Sequence, residues 1–147
     1  EGAVELPEGE FNAAFNPEAV VKVTDVLLAS HENTAQIIDA RPATRFNAEV
    51  DEPRPGLRRG HIPGALNVPW TELVREGELK TTDELDAIFF GRGVSYDKPI
   101  IVSCGSGVTA AVVLLALATL DVTNVKLYDG AWSEWGARAD LPVEPVK

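Results

Sequence analysis

The sequence predicts an α/β domain built on a doubly wound parallel sheet with helices on both faces. Three observations carry that prediction. Short β-rich apolar runs alternate with helical patterns along most of the chain, which is the signature of parallel strands joined by crossover helices. At 147 residues with 45% hydrophobic content the chain is one domain with enough apolar material for a sizeable core. Two chemistry-bearing loops also leave the carboxyl ends of predicted strands, where ligands sit in open α/β sheets.

Taken in order, residues 1–16 carry Gly2, Pro7 and Gly9 and four early glutamates with little periodicity, and read as an interdomain linker or arm. The domain proper is expected over 17–147. Residues 20–23 form a short strand, and Thr24 and Asp25 are placed to cap a helix through Leu27, Leu28 and Ala29. Gln36-Ile-Ile-Asp39 is a buried strand ending in a carboxylate. Residues 40–64 hold four prolines and little apolar patterning, so they read as a long loop, and long ordered loops in compact domains are usually functional. A strand at 65–68, a helical turn at 69–74 and a capped amphipathic helix after Thr82, Asp83 and Glu84, stopped at Gly91 or Gly93, follow. The last third reads as a strand at 100–103, a glycine-rich loop, an apolar helix from about residue 108 to 120, a strand at 124–128 and a helical piece at 132–135.

Composition narrows the function. The formal net charge of −10 argues against nucleic acid and against acidic membranes as partners. The apolar run at 108–120 is too short for a membrane span and reads as a buried helix. No charged-then-apolar leader opens the sequence, and a single cysteine makes no internal disulfide, so the expected location is the cytoplasm. One segment is locally basic. Between Arg41 and His61 five arginines (Arg41, Arg45, Arg54, Arg58, Arg59) stand against Glu49, Asp51 and Glu52, and an anion could be drawn there.

The chemistry centres on Cys104-Gly-Ser-Gly-Val-Thr109. A strand runs into the cysteine, Gly105 and Gly107 bracket Ser106, and a helix begins just after. Glycines let successive backbone N–H groups converge on one point, and a helix start adds its positive end, so the loop is a cradle for an anionic sulfur species. A buried structural cysteine is the ordinary alternative, but it would not require recurring glycines. Gly105-x-Gly107-x-x-Ala110 also satisfies the dinucleotide fingerprint, with Asp129 ending the next strand, although too little chain follows for a nucleotide-binding half. A phosphatase loop would need an arginine clamp a few residues on, and none occurs between Cys104 and Arg138. Arg45 and Arg54, set among Phe46, Pro53 and Pro55, are candidates to bind a carboxylate, whereas Arg58 and Arg59 read as solvated surface charges. His61 is expected to fasten a turn by hydrogen bonding, and Trp132 and Trp135 to lie in the core or at an interface rather than to stack on a ligand. Two histidines and one cysteine this far apart make no metal site.

Asp39-Ala-Arg41, Arg45-Phe46, Glu52-Pro-Arg54, Gly60-His-Ile-Pro-Gly-Ala65, Cys104-Gly-Ser-Gly-Val-Thr109 and Tyr128-Asp-Gly-Ala-Trp-Ser-Glu-Trp135 together closely resemble the catalytic, C-terminal rhodanese domain of 3-mercaptopyruvate sulfurtransferases of the enterobacterial type. The resemblance covers the chain from about Pro17. It implies a rhodanese-like fold and a reaction in which Cys104 takes sulfur from 3-mercaptopyruvate as a persulfide, releases pyruvate, and passes the sulfur to a thiol, thioredoxin or cyanide. It further implies that Arg45 and Arg54 hold the substrate carboxylate, that the loop amides of Gly105, Ser106, Gly107, Val108 and Thr109 stabilise the persulfide, and that Ser106 helps move protons. No metal or organic cofactor is implied. Thiosulfate-preferring relatives carry cations where this chain has Gly105 and Ser106. In the two-domain enzymes a histidine and an aspartate from an N-terminal rhodanese domain work with the loop serine. That domain is therefore expected to be missing from this chain, as a fragment or as a separate partner. A persulfide carrier in a sulfur relay and a thiosulfate sulfurtransferase remain alternatives at this point.

Overall fold

The computed structural model describes residues 20–105 and 109–145. Its elements are β1 (Val20–Val21), α1 (Val23–Glu32), β2 (Gln36–Asp39), α2 (Ala43–Phe46), β3 (Leu66–Asn67), a 3-10 turn (Trp70–Leu73), β4 (Val74–Arg75), β5 (Glu78–Leu79), α3 (Thr82–Gly91), β6 (Ile100–Ser103), α4 (Ala110–Thr119), β7 (Val125–Tyr128) and α5 (Ala131–Trp135). Five strands form one sheet in the order β1-β7-β6-β2-β3, and every pairing in it is parallel.

Strand side chains alternate between the two faces and so feed two cores. Ile38, Ile100, Val102 and Leu127 pack with Leu85 and Phe89 of α3 and with Ala110, Val113, Ala116 and Leu117 of α4. Ile37, Ile101 and Tyr128 face the other way, against Val26 and Ala29 of α1 and Trp132 and Trp135 of α5. This is the doubly wound arrangement that the alternation of strands and helices predicts, and both tryptophans lie in the core as expected.

Local chemistry explains where elements start and stop, and several differ from expectation. Helix α1 begins at Val23, one residue before the proposed caps. Asp25 instead sits in the first turn, where its carboxylate accepts from the Lys22 N–H at 3.0 Å, and Asn33 ends the helix with φ 58°. For α3 the cap is Thr81 rather than Thr82: its hydroxyl accepts from Glu84 N at 3.2 Å while Glu84 Oε1 accepts from Thr81 N at 3.0 Å. Gly93, at φ 88°, is the stop residue. The long segment 40–64 contains α2, a single turn too short to leave a periodic pattern. The hairpin β4–β5 likewise leaves no sequence period, because each strand has only two residues; its turn is Glu76-Gly77, with both φ values positive.

Arg58 corrects a further expectation. It is not a solvated surface charge: Nε donates to Gly136 O at 3.1 Å, Nη1 to Leu141 O at 2.8 Å, and Nη2 to the carbonyls of Trp135 and Arg138. It thereby satisfies the carbonyl end of α5, about eighty residues away.

The α3 capping box carries a pH signature. Arg75 donates to both Glu84 oxygens, at 3.0 and 2.6 Å, and that pairing together with the Thr81 amide lowers the Glu84 carboxyl to about 2 from the ordinary 4.5. A carboxyl depressed by folding adds stability above its unfolded value and loses it as pH falls toward the folded one. NMR titration of the Glu84 side chain is expected to show a midpoint near 2, moving up toward the ordinary range in Arg75→Ala.

Candidate functional site

The site forms where the sheet changes winding direction. From β2 the chain moves outward to β3, then returns to place β6 on the opposite side of β2, so the loops after β2 and β6 diverge and open a crevice at the carboxyl ends of the strands. Asp39 is in register with Ser103, and Ala40 N donates to Ser103 O at 2.8 Å, which sets the start of the arginine-rich segment beside Cys104.

Cys104 is fully buried, and its Sγ accepts from the Ala110 N–H at 3.3 Å, at the start of the ten-residue α4. The positive end of that helix therefore faces the sulfur. The backbone on either side is clamped by α5: Trp132 N donates to Cys104 O at 2.8 Å and Ser133 N to Gly105 O at 2.9 Å. Since C=O and N–H point oppositely across a trans peptide, the Gly105 N–H is turned away from α5. Ser106, Gly107 and Val108 lie outside the described residues. The flanking Gly105 and Thr109 line a cavity of about 250 Å³ together with Pro42, Arg45, Glu52, Arg54, Leu57 and Trp70.

The wall opposite the cysteine loop is a buried ionic cluster. Arg41, 1% exposed, donates from Nε to both Asp39 oxygens (3.0 and 3.1 Å), from Nη2 to Asp39 Oδ2 (2.7 Å) and Gly60 O (2.6 Å), and from Nη1 to Glu52 Oε2 (2.9 Å). Its guanidinium also lies 4.5 Å from the Trp132 ring centroid. Glu52, its side chain 1% exposed, takes a second arginine: Arg45 donates to it from Nη2 at 2.7 Å and from Nε at 3.3 Å. Asn67 Nδ2 fixes the turn by donating to Asp39 O and Arg41 O at 3.0 and 2.9 Å.

Of the residues expected to bind a carboxylate, both line the cavity, in different states. Arg45 is half-buried and tethered to Glu52, and its guanidinium lies against Gly105: a Cβ there would fall 2.6 Å from Arg45 Nη2. Arg54 is exposed and makes no hydrogen bond or ion pair with any other described residue. The structure thus brings Arg45, Arg54, Gly105 and Thr109 to one cavity beside Cys104. His61 fastens a turn as expected, through a 2.7 Å hydrogen bond from Nδ1 to Phe46 O, a ring stack on Phe46 at 3.7 Å, and a backbone bridge to Glu144. Asp39, Arg41 and Glu52, for which no role in the site is expected above, belong to it as well. A carboxylate ending a buried strand two residues before an arginine is the available signal for Asp39 and Arg41, whereas Glu52 sits among exposed acids and only its place in Glu52-Pro-Arg54 marks it. Among the described residues no group of three or more His, Cys, Asp and Glu side chains could hold a metal ion.

The contact between Arg45 and position 105 is testable by itself. Gly105→Ala forces Arg45 off Glu52 and is expected to cost about 1–3 kcal/mol in chemical unfolding. The same change in an Arg45→Ala background should cost much less, and a double-mutant cycle measures the difference.

Comparison with known proteins places this architecture. The family model for the rhodanese-like domain matches residues 22–138. The chain is 99% identical, over all 147 of its residues, to 52% of the 3-mercaptopyruvate sulfurtransferase of Escherichia coli K12, and 40% identical over 131 residues, 88% of the chain, to 44% of the mouse enzyme of the same name. The crystal structure of SseA from Escherichia coli, from work on the rhodanese fold of 3-mercaptopyruvate sulfotransferases, matches with a TM-score of 0.70 and 95% identity, covering 82% of this chain and 44% of that one. The chain thus spans about half the length of the curated relatives it matches. With a parallel sheet whose central strand delivers a cysteine to a helix N-terminus, and a family match across most of its length, this chain belongs to the rhodanese family.

Proposed function

We propose that this chain is the catalytic half of a sulfurtransferase that moves sulfur from 3-mercaptopyruvate, through a persulfide on Cys104, to a thiol, thioredoxin or cyanide acceptor. The observation that carries the reading is the junction of two sites: a cysteine sulfur at the start of α4, and beside it a cavity walled by Arg45 and Arg54. The near-identity to half of a 3-mercaptopyruvate sulfurtransferase supports it.

In this mechanism the cationic wall takes the substrate carboxylate and presents the thiol sulfur to Cys104. The Cys104 thiolate attacks that sulfur, an S–S bond forms, the C–S bond breaks, and its electron pair leaves on carbon as the pyruvate enolate, which takes a proton to become pyruvate. The Ala110 N–H and the positive end of α4 are placed to stabilise negative charge on Cys104 Sγ, the attacking thiolate and the leaving group of the second step. An acceptor thiolate then attacks the outer sulfur and returns Cys104 as thiolate. Gly105, Ser106, Gly107, Val108 and Thr109 are assigned to the persulfide cradle and Ser106 to proton movement. We assign residues 17–147 to the catalytic domain and 1–16 to a linker. A second rhodanese domain completing the proton path accords with relatives about twice as long. A cytoplasmic location suits a thiol that must stay reduced. Among the described residues no helix is long and apolar enough to cross a membrane.

A sulfur-relay module would need no pocket for a small acid, so the arginine-walled cavity favours the enzyme. Intact-mass measurement after exposure to 3-mercaptopyruvate is expected to show one added sulfur, absent in Cys104→Ser and removed by a small thiol. A wild-type chain that gains none, beside a full-length relative that does, would show that this half is not competent by itself. Arg54→Ala is expected to raise KM for 3-mercaptopyruvate about tenfold or more, the scale of a lost charge-assisted hydrogen bond, and to change that for thiosulfate less. Equal effects on both donors would remove Arg54 from the carboxylate site.

A further inference from the structure

Resting on the sulfurtransferase reading for its substrate, we infer that Glu52 is a positioning residue that sets both the direction and the net charge of the cavity's cationic wall, and so selects monoanionic carboxylates over dianions. Among the described residues three guanidiniums meet at this wall, those of Arg41, Arg45 and Arg54, against the two carboxylates of Asp39 and Glu52. One net positive charge remains, enough to match a single carboxylate. A dianion such as thiosulfate or sulfate brings a second negative charge that finds no partner and faces Glu52 itself.

The direction is set by the same side chain. Glu52 occupies Nε and Nη2 of Arg45, and among the described residues nothing accepts from Nη1. Arg45 is therefore held with a single unengaged edge, against a cavity it lines with Gly105. A guanidinium fixed in advance loses less side-chain freedom when a carboxylate arrives. Arg41 cannot take that part, because Asp39, Glu52 and Gly60 use its donors.

Binding, read without turnover, tests this. Pyruvate serves as the monoanion and sulfate as the dianion, each titrated by calorimetry into wild type, Glu52→Gln and Glu52→Asp. The amide removes one negative charge and half of the anchor, so pyruvate is expected to bind about tenfold weaker and sulfate about tenfold tighter. Aspartate keeps the charge but is one methylene too short to hold Arg45, so pyruvate weakens while sulfate stays unchanged. Mercaptopyruvate and thiosulfate kinetics should follow in KM, with kcat little altered. Arg41 retains Asp39 and Gly60 in both variants, and near-ultraviolet circular dichroism of the adjoining Trp132 reports whether the fold is kept. Should the amide variant fail to fold, the aspartate variant decides by itself. Parallel shifts for the two anions, or none in either, overturn the inference. A wild type that gains no sulfur from mercaptopyruvate, beside a full-length relative that gains none either, instead sinks the sulfurtransferase reading and leaves the two anion affinities to decide this one.

Discussion

The site hangs on one buried cation. Arg41 is removed from water, and an isolated charge there would be very unfavourable, so folding must surround it with acceptors. Those acceptors come from separate stretches of chain: Asp39 at the end of β2, Glu52 from the proline-rich segment, and the carbonyl of Gly60, with the Trp132 ring of α5 over its face. Each must arrive for the charge to be satisfied. The segment from 41 to 60 is therefore held by ionic and hydrogen-bonding geometry, since Arg41, Ala48, Glu52 and Gly60 are its few buried members. Arg45 inherits its placement through Glu52, so the cavity wall is a consequence of burying Arg41.

On the other side of the crevice the constraint is backbone hydrogen bonding. Helix α5 donates its first amides to the carbonyls of Cys104 and Gly105, and the helix is in turn secured at its far end by Arg58 and by Trp135 Nε1 on Pro142 O. Tyr128 donates to Glu134 across the turn that leads into α5, and burial with that neighbouring carboxylate pushes its hydroxyl well above the ordinary tyrosine range, so it stays a donor. The two halves of the site thus rest on different physics. A helix N-terminus and backbone amides surround the sulfur, and paired charges of small net excess wall the cavity. Gly105 is where they touch, because only a residue without a Cβ leaves room for the Arg45 guanidinium.

Much of this was legible in the sequence where the signal is local. Ile100-Ile-Val-Ser103 reads as a buried strand because β-branched residues run unbroken, and the structure places it in the middle of the sheet with every residue buried. The glycines beside Cys104 advertise a tight loop at a helix start. Short elements escaped: α2 and the β4–β5 hairpin are too brief to leave a period, and Thr81 rather than Thr82 caps α3 because the three-residue spacing to Glu84, not proximity to the helix, selects the partner. Arg58 escaped for a different reason, since its four carbonyl acceptors lie about eighty residues further along.

By itself the sequence determined the α/β class, the position of Cys104 at a strand end, and the locally basic segment that lines the cavity, because hydrophobic period, glycine spacing and local charge are properties of contiguous residues. Only the tertiary structure decided which arginine is structural and which lines the cavity. Arg41, Arg45, Arg54 and Arg58 are the same residue type within eighteen positions. What separates them is whether a carboxylate, a carbonyl or open cavity lies within hydrogen-bonding distance, and that is settled by the pairing of β2 with β6 and the packing of α5, contacts between residues far apart in the chain.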